Sequence, residues 1–298
     1  MSVTPLDASG VAPQPLEGTS LWKSARRRLV RNRAAMGGLF VLLIIGIMAI
    51  LAPHISAHAM DDISWENIGT PPNWADGYYF GTDSNGRDLF ARTLYGARVS
   101  LMVGILASIV SLLIGVTYGA VAGYMGGAVD NVMMRIVDIL YSLPFMFFVI
   151  LLTVFFGRNI FLIFVAIGAV EWLDMARIVR GQTMALKHRE FIEAAHAFGA
   201  SSTSIVRRHI IPNILGPVMV FVTLTVPKVI LLESFLSFLG LGVQEPMTSW
   251  GVLISDGARD METAPWSLLF PATFLAATLF SLNFLGDGLR DALDPKDR

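Results

Sequence analysis

Residues 189–213 read REFIEAAHAFGASSTSIVRRHIIPN, a largely polar stretch between two apolar runs, Ile160–Val179 before it and Ile214–Leu232 after it. Phe191, Ala195 and Phe198 fall at i, i+4 and i+7, which places them on one face of a short helix. Glu190 and Glu193 occupy its first turn, where the helix dipole favours negative charge. Gly199 is placed to end that helix in a left-handed cap. Ser201 or Ser202 can cap a second short helix, which Pro212 then stops. The small Ala194 and Ala195 would let this helix–turn–helix sit close to a groove on a partner. A connector lying on a membrane surface would show the same pattern, and the residues alone leave both readings open.

The composition makes the flanking runs membrane spans. Of the 298 residues, 54% are hydrophobic and only 15% are charged, against about 25% charge in a soluble domain. Six apolar stretches occur: Met36–Ala52, Ser100–Gly123, Ile136–Phe156, Ile160–Val179, Ile214–Leu232 and Trp266–Leu285. Each approaches the ~20 residues that a helix needs to cross ~30 Å of hydrocarbon. They are apolar all round, so helices fit better than the alternating strands of a barrel. The fourth is the shortest in apolar core, with Glu171, Asp174 and Arg177 following within one face. The expected fold is an all-α integral membrane protein of about six transmembrane helices with one projecting loop at 187–213. Residues 1–35 form an N-terminal tail, 36–53 the first span, 54–99 a long loop, 100–286 the core with the other five spans, and 287–298 a C-terminal tail.

Charge sets the orientation. Sixteen of the 22 Lys and Arg lie before the first span, around the 187–213 loop, at Arg135 or in the C-terminal tail. Five lie on the opposite side, and Lys228 is within a span. The positive-inside bias therefore predicts that both termini are cytoplasmic. Leu21–Arg33 reads as a basic amphipathic helix on the inner membrane surface. The first twenty residues, rich in Pro, Gly, Ser and Thr, read as disordered. Ala57-His58-Ala59 resembles a cleavage site, yet more than thirty residues precede the first apolar run, so an uncleaved anchor is expected.

The 54–99 loop holds Phe80-Gly81-Thr82-Asp83-Ser84-Asn85-Gly86-Arg87-Asp88. It lacks the twelve-residue spacing of a calcium loop and reads instead as a tight turn capping a helix that starts near Asp88. Gly115, Gly119, Gly123 and Gly127 recur every four residues and make a smooth stripe for close helix approach, within this chain or against a second subunit.

No nucleotide-cradling Gly-x-x-x-x-Gly-Lys-Ser/Thr, zinc-binding His-Glu-x-x-His or catalytic triad can be assembled, so no catalytic residue and no bound cofactor or metal is expected. The formal net charge of −1 implies no global attraction to nucleic acid. Asp138, Glu171, Lys228 and Glu233 are costly charges inside the membrane, where charges usually face the interior of a bundle. They are candidates for a translocation path. Pairing with one another is the plainer account of Asp138 and Glu171, and for Lys228 the two readings weigh equally.

Glu193-Ala194-Ala195, Gly199 and His209-Ile210-Ile211-Pro212 resemble the cytoplasmic "EAA" loop of ABC-importer permeases. The general pattern has Ile where this chain has His209. Arg208–Asn213, Phe80–Asp88, Ser237–Gly251 and Gly286–Pro295 resemble the peptide and nickel branch of that family, and the resemblance runs from Leu21 onward. It implies the type I importer permease fold in a bacterial inner membrane. It also implies that Glu193, Ala194, Ala195, Gly199, His209 and Pro212 belong to coupling helices that dock on ATPase subunits. The partners it implies are a second homologous permease, two ATP-binding subunits that carry ATP and Mg, and a periplasmic peptide-binding protein. Dipeptide or nickel-chelate import is the neighbouring alternative. A self-sufficient secondary transporter is the more distant one, and it would be expected to carry internal repeats and broken helices.

Overall fold

In the computed structural model, residues 21–157 and 159–293 are described, so the expectations for the first twenty residues, for Arg158 and for residues 294–298 of the C-terminal tail lie outside them. The described chain is helical, with only two isolated bridges, Asn73–Tyr78 and Thr82–Asp88. Helix α1 (Leu21–Arg31) leads into α2 (Arg33–Ile55), capped by the Asn32 side chain. After the long loop come α3 (Leu89–Met125), α4 (Gly127–Ser142), α5 (Phe145–Phe156) and α6 (Ile160–Lys187). Two short helices, α7 (Glu190–Ala197) and α8 (Ser202–Ile205), precede a single π turn (Val206–Ile210) that runs straight into α9 (Ile211–Phe238). Helices α10 (Trp250–Arg259) and α11 (Trp266–Leu293) complete the chain.

Four helical segments are long and apolar enough to cross a membrane: Arg33–Ile55, Leu89–Met125, Ser202–Phe238 and Trp266–Leu293. Helices α4 and α5, bent by 79°, would together make a fifth. Helix α6, the fourth expected span, is about 42 Å long at 1.5 Å per residue but is too charged to be among them. Its polar side chains turn toward α4 and α9 instead.

Three sequence expectations need correction. The run Ile136–Phe156 is not one helix, because Pro144 lacks an amide donor and pushes Leu143 into extended geometry (φ −75°, ψ 130°). The expected 54–99 loop is too long: the helix that carries the second span already begins at Leu89, as the capping turn predicted, with the Asp88 carboxylate accepting from the Phe90 and Ala91 amides at 2.8 and 3.4 Å. Pro212 does not stop a helix. It lies in the first turn of α9 directly after the π turn, where the wider turn leaves room for its ring.

Helices α3 and α6 form the most extensive pair in the bundle. Gly115, Gly119 and Gly123 of α3 make this possible. A Cβ on Gly119 would overlap the Ala176 carbonyl, and one on Gly123 would come 2.8 Å from that of Arg180. The stripe is therefore used within the chain. Gly127 is outside it, at positive φ in open space at the start of α4.

Candidate functional site

The 187–213 loop stands at one end of the bundle and is built from local chemistry. Glu190 and Glu193 occupy the first turn of α7, as charge complementarity requires. Gly199, at φ +81° with open space around it, terminates the helix while the Ala200 amide reaches back to the Ala195 carbonyl at 3.1 Å. The Ser201 hydroxyl then accepts from the Ser204 amide and opens α8. His209 lies half-buried in the π turn, and its carbonyl accepts from the Asn213 side chain at 2.6 Å.

Burial divides α7 into two faces, and the division differs from the one expected. Ile192 is the buried residue, packed with Ile205, Ile210 and Ile214 against Val116, Ala120 and Val179 of α3 and α6. Ala195 is half-buried against the same cluster. Phe191 and Phe198 share the outer side, and Phe198 is 92% exposed. Of the two alanines, Ala194 is the one that points outward. The loop is thus clamped to the ends of three long helices on one side and presents an aromatic, small-residue surface on the other. A force on α7 would pass through this cluster into α3, α6 and α9 together.

The intramembrane charges do not form one site. Lys228 Nζ lies 3.0 Å from Glu171 Oε2 and 3.1 Å from Asp174 Oδ2. Asp138 pairs separately with Arg177 at 2.9 Å, beneath which the Tyr141 ring packs on the guanidinium. Arg180 makes a two-pronged bond with Asp130, 2.6 Å on each prong. Sequence reading singled out Lys228, Glu171 and Asp138 but missed Asp174, Arg177, Arg180 and Asp130 as their partners. The available signal was the three-residue spacing of charges along α6. Glu233 departs from its expected role. It is fully buried, bonded to Ser100 at 3.1 Å and Ser237 at 2.7 Å, and joins α9 to α3 near the start of α10 instead of lining an open wall.

At the opposite end of the bundle an ion network joins the two long loops. Arg87 donates to Asp83 at 2.8 Å and to Glu245 at 2.6 Å, and buried Arg92 stands 3.5 Å from Asp83. Burial works to lower the Arg87 pKa, but its bonds to Glu245 and Asp83 outweigh this and raise it. The Arg87 hydrogen bond holds the Glu245 carboxyl below its ordinary range, while burial lifts that of Asp256. The Trp266 indole donates to the Thr82 carbonyl and that of Trp250 to the Thr93 carbonyl, both at 3.1 Å. The turn at Phe80–Asp88 is thus folded onto the bundle.

Comparison with known proteins agrees with this architecture. A family profile described as "Binding-protein-dependent transport system inner membrane component" matches residues 115–298, and one for the "N-terminal TM domain of oligopeptide transport permease C" matches residues 20–72. The oligopeptide transport system permease protein OppC of Escherichia coli K12 is 62% identical over 95% of this chain and 94% of its own length. The protein of that name from Haemophilus influenzae is 55% identical over 98% and 94%. The dipeptide transport system permease protein DppC of Bacillus subtilis is 49% identical over 94% and 87%. The fold is that of a chain in inward-facing structures of the MetNI methionine ABC transporter, with a TM-score of 0.55 and 19% identity over 67% of this chain and 94% of that one. The chain belongs to the binding-protein-dependent transport system inner membrane component family, as an ABC-importer permease of the OppC type.

Proposed function

We infer that the chain is the permease subunit of an ATP-driven peptide importer in a bacterial inner membrane. It forms a translocation pathway with a second, related permease, and both of its termini face the cytoplasm. Two separate ATP-binding subunits, which carry ATP and Mg, dock on the outward face of α7. An external peptide-binding protein delivers the substrate at the end where Arg87 joins Glu245. Lys228, with Glu171, faces the pathway, and the Asp138–Arg177 pair stands beyond it. The observation that carries the coupling role is the two-faced α7: Ile192 anchored in the helix bundle, Ala194 and Phe198 left facing outward. Relatives named for oligopeptides and for dipeptides both align over most of the chain, so dipeptide import is the second reading.

Two variants test the coupling. Burying one Phe side chain is worth about 1.5–3 kcal/mol, so Phe198→Ser should weaken ATPase association by roughly 10- to 100-fold. Ala194→Asp would leave an unpaired charge in a tight contact at a cost of several kcal/mol. Both proteins should still insert in the membrane, because both positions are exposed and outside the spans. Peptide import and stimulated ATP hydrolysis, measured together in reconstituted vesicles, should be lost in both. Near-normal coupling in both variants would leave α7 a mere connector.

A further inference from the structure

Helix α6 carries Glu171, Asp174, Arg177 and Arg180 at intervals of three, along one half of its circumference. Lys228 on α9 meets the first two. Lys228 is ten residues from the Phe238 end of its helix, and Glu171 is eleven from the Ile160 end of its own. Both lie about 15 Å in from those ends, half the ~30 Å hydrocarbon thickness. At this depth the Lys228 side chain is 55% exposed and that of Asp174 is 29% exposed, while that of Glu171 is 3% exposed. Charges exposed at the membrane centre do not face lipid; they face a water-filled cavity or another protein. The cluster holds two carboxylates and one ammonium, so it is net negative. Both carboxylates share the one Lys228 ammonium, at 3.0 and 3.1 Å, and Asp174 is the outer, partly exposed one of the two. On the same side of α9, Leu231, Phe235 and Phe238 follow Lys228 and are exposed and apolar. The wall is therefore apolar along its length with a negative charge at one end.

Resting on the peptide-import reading above, we propose that Asp174, backed by the Lys228–Glu171 pair, is a station for the α-ammonium group of a peptide in transit, with the adjoining side chains of the peptide lying along Leu231 and Phe235. A primary ammonium fits this place because it carries the charge that the cluster lacks.

The complete transporter in vesicles provides the test, and because this chain has no cysteine, label found on this chain after separation of the subunits reports the introduced thiol alone. Leu231→Cys would be reacted with a cationic and an anionic methanethiosulfonate, each rate divided by that of a free thiol in solution. The cationic reagent should be favoured by about fivefold or more. That preference should vanish when Asp174→Asn is added and persist with Asp174→Glu. Import of tri-alanine should show a raised KM in Asp174→Asn and recovery in Asp174→Glu. Failure of both reagents to label Leu231→Cys would mean a lipid-facing or sealed subunit contact and would overturn the proposal. So would labelling without charge preference, or an unchanged KM in Asp174→Asn. If Asp174→Asn does not assemble, the charge preference in Leu231→Cys alone decides. Import by the unsubstituted transporter separates the two ideas: without it the transport reading fails, and with it but without charge preference in Leu231→Cys only the ammonium station does.

Discussion

Gly119 on α3 lies directly beneath α6, and replacing it with Ala should separate the two helices. The added Cβ would overlap the Ala176 carbonyl and come within 2.9 Å of Val179 Cβ and 3.0 Å of the Arg180 amide nitrogen. Two of these neighbours are backbone, which cannot rotate away, so α6 would have to retreat by about 1 Å. Overpacking of this kind costs roughly 1–3 kcal/mol. Against it stands the helix propensity of Ala over Gly, about 1 kcal/mol in favour of the variant. Gly181, in the interior of α6, has nothing within 4 Å of where its Cβ would be. Gly181→Ala therefore carries the propensity gain without the clash. The gap between the two alanine variants isolates the packing effect at about 1–3 kcal/mol, read as unfolding in detergent micelles. Function should follow stability here, because the retreat displaces Arg180 from Asp130 and shifts the end of α6 that feeds α7. Import by Gly119→Ala should fall while Gly181→Ala stays near wild type. Equal stability of the two variants would refute the claim that α3 and α6 touch backbone to backbone at Gly119.

Other outcomes follow from the loops and caps. The depressed Glu245 pKa means that its bond to Arg87 contributes stability above the unfolded value of about 4.3, and that this is lost as pH falls through the lower folded value. Asp256, raised by burial, acts with the opposite sign, favouring the fold as it takes up its proton on acidification. The difference in Tm between the chain and Glu245→Gln should hold from pH 8 to 5 and shrink below about pH 4, and it should be small, because exposed pairs are worth at most about 1 kcal/mol. Asp88→Ala removes the cap of α3 and should cost about 1 kcal/mol. Asp88→Asn should be nearly neutral, since burial already raises this carboxyl. Ser201→Cys should be labelled by an impermeant thiol reagent only from the cytoplasmic side, and Ser84→Cys, at an exposed position of the Phe80–Asp88 turn, only from outside; labelling of Ser201→Cys in intact cells would invert the proposed topology.

What could be read from the sequence was what depends on near neighbours. Gly199 and Ser201 were legible because a cap is decided by residues within four positions, and Asp88 for the same reason. The apolar runs were legible because a helix in hydrocarbon satisfies its own backbone whatever surrounds it. The bend at Pro144 was legible too, but continuous apolarity from Ile136 to Phe156 masked it: hydropathy reports the solvent of a segment and says nothing of its direction. Pro212 misled for the converse reason, since proline ends a helix only if the turn before it cannot widen, and here a π turn does. The partners were out of reach. Lys228 and Glu171 are 57 residues apart in the chain, and nothing local states that α6 and α9 are neighbours. The four charges of α6 were each visible and looked like a defect in a membrane span. Once α4 and α9 are placed beside them, they are what allows a helix too charged to be stable in lipid alone to stand within the bundle. The same placement explains why Glu233 and Lys228, five residues apart on one helix, have different fates: Glu233 turns inward to the Ser100 and Ser237 hydroxyls, and Lys228 stays half open. A charge in a membrane is thus informative about function only when its unburied side is known, and on this chain that criterion keeps Lys228, Asp174 and the Asp138–Arg177 pair as candidates and sets Glu233 aside.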